Sequence, residues 1–107
     1  MTFYIKQNDT SPSMAATLKD ADDAAIDLTG AAVRFHMRAV GASEVTVDAA
    51  ATLVTPASGT VRYDWQAADT DTVGSYQAEF EVTYADGSIE TFPNDGYIRV
   101  EITDDIT

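Results

Sequence analysis

Apolar and polar residues alternate along most of this chain with a period of two, the signature of strands that bury one face. In the segment 31–38, Val33, Phe35 and Met37 alternate with Arg34, His36 and Arg38. In 60–65, Val61, Tyr63 and Trp65 alternate with Thr60, Arg62 and Asp64. The longest run covers 75–84, where Tyr76, Ala78, Phe80, Val82 and Tyr84 face inward and Gln77, Glu79, Glu81 and Thr83 face outward. Near the end, Ile98, Val100 and Ile102 alternate with Arg99 and Glu101. Such patterns belong to antiparallel sheets wet on one side.

Weaker strands complete the set. Phe3 and Ile5 form an opening strand, and Met14, Ala16 and Leu18 follow the break at Pro12. Val45 with Val47, and Ala51 with Leu53, read as a short alanine-rich pair. Turn residues separate them: Gly30, Gly41, Pro56 to Gly59, Asp86-Gly87 and Pro93 to Gly96. Asp86-Gly87 beyond Tyr84 signals a hairpin. The only helical stretch expected is a turn at 66–69. The spacing predicts an all-β, immunoglobulin-like antiparallel sandwich of about seven to nine strands, forming one domain over 1–107. Its core should contain Phe35, Trp65, Tyr76, Phe80, Val82 and Val100.

Composition narrows the partners. With 107 residues there is material for one modest core. There is no cysteine, hence no disulfide and no thiolate metal site. Eighteen acids against six Lys and Arg leave a net charge of −12, which repels phosphate backbones and anionic membranes. Neither nucleic acid nor membrane is an expected partner. The opening MTFYIKQNDT lacks a secretory pattern and no apolar run is long enough to span a bilayer, so synthesis in the cytoplasm is expected.

Candidate chemistry is sparse. Asp71-Thr72-Val73-Gly74-Ser75-Tyr76 enters the longest strand in the manner of a tyrosine corner, which assigns Tyr76, with Gly74 and Asp71, a structural role. His36, the single histidine, could serve as a base or pH sensor but reads better as an exposed strand residue near acids. Ser43 and Ser58 lack the glycines of a nucleophile elbow. Asp20, Asp22, Asp23 and Asp27 invite comparison with a calcium loop, yet Ala25 stands where an EF-hand requires glycine, so an acidic turn is the better reading. Trp65 shares its phase with Val61 and Tyr63 and reads as core rather than as a sugar platform. Tyr4 and Tyr97 fall out of phase and are candidates for exposed protein contact. No catalytic, cofactor-binding or metal site is expected, and no cofactor.

Several strings taken together resemble a known family: IKQNDTSP, DLTGAAVRFHMR, GTVRYDW and DTVGSYQAEFEVTYADGSIETFPNDGYIRVEI. They are similar to the N-terminal immunoglobulin-like domain of tailed-phage baseplate upper proteins and related small virion proteins. Gly74-x-Tyr76-x-Ala78-Glu79-Phe80, Asp86-Gly87 and Thr91-Phe92-Pro93 are the most specific pieces, and the similarity covers nearly the whole chain. Baseplate upper proteins usually carry a further C-terminal part, so a chain ending at Thr107 is expected to be the docking domain alone. The resemblance implies a non-enzymatic virion protein bound to other capsid or tail subunits, and to copies of itself, as a capsid decoration, tail or baseplate component. The aromatic residues leave a carbohydrate- or receptor-binding module as the alternative. Charge places either on the exterior of the particle or on the tail, away from packaged DNA. The basic stripe Arg34, His36 and Arg38 is the first candidate contact. Its rival role, preferred slightly, is pairing within the sheet to Glu79 and Glu81. The segment 1–9 and the free sheet edges offer a second route, by strand addition to a partner.

Overall fold

The computed structural model describes residues 2–106. The period-two segments become strands β1 (Thr2–Lys6), β2 (Met14–Thr17), β3 (Ala32–Ala39), β4 (Val47–Ala50), β5 (Thr52–Thr55), β6 (Thr60–Tyr63), β7 (Gly74–Thr83), β8 (Ile89–Phe92) and β9 (Ile98–Thr103). A large sheet runs β1-β9-β7-β3-β4 with β8 also on β7, and a three-stranded sheet runs β2-β6-β5. Their inner faces meet as a sandwich.

Most pairings are antiparallel, as expected, but β1 runs parallel to β9, with Phe3 opposite Val100 and Ile5 opposite Ile102. Alternation reports which face of a strand is buried and is blind to strand direction. The chain leaves β1 through a turn at Asn8 and enters β2 in the other sheet, so β1 closes the edge beyond the last strand instead of pairing with its neighbour in sequence. That turn is tied down: the Asn8 N–H donates to the Thr70 carbonyl at 2.9 Å, and the buried Thr70 hydroxyl donates to the Asp9 carbonyl at 2.8 Å. The segment 2–9 is thereby built into its own sheet, which leaves β1 a single free edge for strand addition. Met1, also part of the expected docking segment, lies outside the described residues.

Two boundaries shift. Val45, expected in a strand, lies outside β4 in the 40–46 loop and is exposed, because the ladder to β3 begins only at Val47 opposite Met37. The turn expected at 66–69 is a 3-10 turn over Ala67–Thr70, closed by Asp69, whose Oδ2 accepts from the Gln66 N–H at 2.8 Å and from the Tyr63 hydroxyl. A second 3-10 turn covers Pro56–Ser58.

The core joins the sheets through aromatic rings. Phe35 of β3 stacks on Tyr63 of β6 at 4.4 Å, meets Trp65 edge-on at 5.6 Å and touches Phe80 of β7 at 5.3 Å. Phe3 of β1 stacks on Trp65 at 5.8 Å, which brings the edge strand into the same cluster. All six residues expected in the core are buried, and Met14, Leu28, Val61 and Ile102 join them. Trp65 is core.

Candidate docking surface on the large sheet

With Val33, Phe35 and Met37 committed to the core, strand geometry puts Arg34, His36 and Arg38 on the outer face. There they stand opposite Glu81, Glu79 and Gln77 of β7, while His36 stands opposite Asp48 of β4. Arg34 Nε donates to Asp48 Oδ1 at 2.8 Å and its Nη2 to the Asp48 carbonyl at 3.0 Å. That guanidinium, with His36 beside it, holds the Asp48 carboxyl below the usual carboxylate range. His36 lies between two carboxylates, Nε2 at 3.1 Å from Asp48 and Nδ1 at 3.8 Å from Glu79. Two members of the stripe are therefore spent within the sheet, and their main partner is Asp48, which the alternation did not single out.

Arg38 differs. Among the described residues it has no carboxylate at ion-pair distance. Its Nε donates to Gln77 Oε1 at 3.1 Å, its Nη2 to the Tyr97 hydroxyl at 3.2 Å, and its guanidinium carbon lies 5.3 Å from the Tyr97 ring centre. Tyr97 reaches it because β7's second edge is shared. β9 pairs Gly74 to Ala78, β8 pairs Phe80 to Thr83, and residues 93–97 loop outward between them. Gly96 turns that loop at φ 73°.

Two clefts flank the pair. One, of about 170 Å³, has His36, Ser43, Val45 and Glu79 in its walls; the other, of about 370 Å³, has Val40, Ser75 and Arg99. Gln77 and Tyr97 line both. Tyr97, Val40 and Val45 are about half exposed, at 49%, 56% and 54%; Val45 shares the first cleft with Arg38 and Tyr97, and Val40 the second with Tyr97. Val40 was not singled out from the sequence and Val45 was read as a strand residue; both belong to the β3–β4 loop.

The other candidate residues lie apart. Tyr4 is 69% exposed on the outer side of β1, opposite Glu101 of β9, so β9 and β7 separate it from Arg38. Tyr76 is buried and donates its hydroxyl to the Thr72 carbonyl at 2.6 Å; burial, then the charge of Asp71, pushes its phenol up. The Asp71 carbonyl accepts from Gln7 Nε2 at 2.8 Å, so the corner also grips the N-terminal segment. Gly74 opens β7 just before it. In the acidic stretch, Asp20 Oδ1 accepts from the Asp22 and Ala24 N–H groups at 2.9 and 3.0 Å, and Asp27 accepts from Thr29. These are self-satisfied turns. Among the described residues, no three His, Cys, Asp or Glu side chains are grouped to hold a metal ion. No helix among them is long and apolar enough to cross a membrane.

No curated protein matches the chain. Among solved structures, it is similar to the crystal structure of CopC from Methylosinus trichosporium OB3b, with a TM-score of 0.52 and 13% identity over 99% of this chain and 87% of that one. At that identity the likeness concerns the fold alone. Residues 2–94 match the family described as the BppU N-terminal domain, and the chain belongs to that family of phage baseplate structural domains.

Proposed function

We propose that the domain is a non-enzymatic docking module on the exterior of the virion tail, binding another virion subunit through the outer face of its large sheet. The single observation behind this reading is the Arg38–Tyr97 pair, a half-exposed ring beside a partly buried guanidinium, set between clefts lined by Val45 and by Val40. Tyr and Arg are the side chains enriched at the energetic centres of interfaces. Arg38 also offers positive charge with no carboxylate at ion-pair distance among the described residues, on a molecule of net charge −12. Its partner surface carries a carboxylate or carbonyl cluster and an apolar contact.

Two arguments support the remainder. Ser43 and His36 line one cleft, but both imidazole nitrogens face carboxylates, so neither is positioned to take a proton from the serine. The acidic surface would be repelled by packaged DNA, which favours an outer position.

Tyr97→Ala and Arg38→Ser, each introduced into phage, test the reading. Incorporation into particles should fall at least tenfold while the melting temperature of the isolated domain stays within a few degrees. Normal incorporation of both variants overturns it. A sugar titration that perturbs Tyr97 and His36, with incorporation intact, would favour the carbohydrate- or receptor-binding alternative.

A further inference from the structure

We infer that the outer face of the three-stranded sheet is a contact for a second copy of this chain, distinct from the Arg38–Tyr97 face. The register puts Ala15, Arg62 and Thr52 in one row across that face and Thr17, Thr60 and Thr55 in the next. In a chain with 24 Lys, Arg, Asp and Glu side chains, the only charge in these rows is Arg62, and Asp64 Oδ1 neutralises it at 3.0 Å. The large sheet, by contrast, is studded with charge on its outer side.

The edges give a second, independent observation. Soluble sheets usually guard unpaired edges with charge. β1 carries Lys6 and β4 carries Asp48, but β2 (MAAT) and β5 (TLVT), the two edges of the small sheet, carry none. Both the face and the edges that should be protected in a solitary domain are left neutral.

Charge decides the occupant. A basic partner would be drawn to the acidic surfaces elsewhere, whereas two copies at −12 repel everywhere except where charge is missing. A neutral threonine-rich surface complements its own image, as a twofold contact requires. Three strands of four residues span roughly 13 by 14 Å, far less than the ~800 Å² per partner of a stable complex. The contact is therefore weak alone, with a Kd on the order of millimolar, and gains strength when an assembly repeats it.

The test is amide NMR of the domain between about 0.05 and 2 mM, at low and at 0.5 M NaCl. Concentration-dependent shifts should appear on β2, β5 and β6 and be at least twofold larger at high salt, where repulsion is screened. Thr60→Lys separates this contact from mere relief of repulsion. Adding a positive charge to an acidic chain strengthens indiscriminate association but should erase shifts caused by a neutral face. Thr17→Lys, on the exposed edge, repeats the test should Thr60→Lys fail to fold. Absence of shifts at 2 mM in high salt, shifts centred elsewhere, or shifts that survive a folded lysine variant would each overturn the inference.

Discussion

Tyr76 and Tyr84 show how a phenol on a strand acquires a job from its hydrogen bond. The Tyr76 hydroxyl reaches back to the Thr72 carbonyl and pins the approach to β7. Removing one such bond with the ring retained costs about 1 kcal/mol. Tyr76→Phe should therefore unfold faster in denaturant, with assembly into particles unchanged. Tyr84 donates to Glu90 Oε1 at 2.7 Å; burial and that carboxylate push its phenol up to about 12. Tyr63 is raised likewise, by burial first and then by Asp69. A phenol whose folded pKa exceeds its unfolded value of about 10 stabilises the fold fully below pH 10 and loses that contribution as pH rises through the folded value. Alkaline titration at 295 nm should thus show Tyr63 and Tyr84 ionising above pH 10, together with unfolding. A plain titration of all five tyrosines near pH 10 in a folded protein would contradict it. The corner was legible because the Asp-Thr-Val-Gly-Ser-Tyr string is local; the Tyr63–Asp69 and Arg34–Asp48 pairs depend on side-chain reach, which alternation does not encode.

At the scale of elements, strands that pack one face were readable and those defined by topology were not. β3, β7 and β9 each carry a full period-two run, and Phe80 on β7 is wholly buried against Phe35. Phe80→Ala should cost about 3–5 kcal/mol by chemical denaturation. β4 and β5 were blurred because their segment is poor in large apolar residues, and the parallel β1–β9 pairing left no trace in either strand. Turns divide by what surrounds them. Gly59 ends a 3-10 turn at φ 69°, and a Cβ there would lie 2.8 Å from both the Leu18 and Ile26 carbonyl oxygens. Those oxygens are backbone atoms joined to the β2 end, so they cannot swing aside. Gly41, at φ 85°, has open space where its Cβ would be. Gly41→Ala should cost about 1–2 kcal/mol, the left-handed penalty alone. Gly59→Ala should cost clearly more, and equal losses would show that the close approach is immaterial.

Over the whole molecule, one sum of charge competes with many local pairs. Asp48 and Glu101 are held below the usual range chiefly by Arg34 and Arg99, and Asp27 and Asp86 by Thr29 and Ser88. Groups depressed in the folded state stabilise it above their unfolded pKa, and that help is lost as pH falls through the folded values, here below about pH 4. Against them stands the self-repulsion of a net charge of −12. The ion pairs lie at the surface, where such pairs are worth little. Repulsion acts across the full width of the domain, whose radius of gyration is 13.9 Å. The Debye length is about 30 Å at 0.01 M salt and about 8 Å at 0.15 M. In dilute buffer every charge therefore feels all the others, and at physiological salt only its neighbours. Screening should remove more repulsion than attraction. The melting temperature at pH 7 should rise by about 4 °C or more between those two conditions, the shift that ~1 kcal/mol produces in a domain near this size. Magnesium and calcium at equal ionic strength should act alike, since the Asp20 and Asp27 carboxylates are turned onto the backbone of their own turns and Asp23 faces Lys19. A melting temperature that falls with salt would mean that the surface pairs outweigh the net charge. A rise specific to calcium and abolished by Asp22→Asn would mean that the acidic turn is a binding loop.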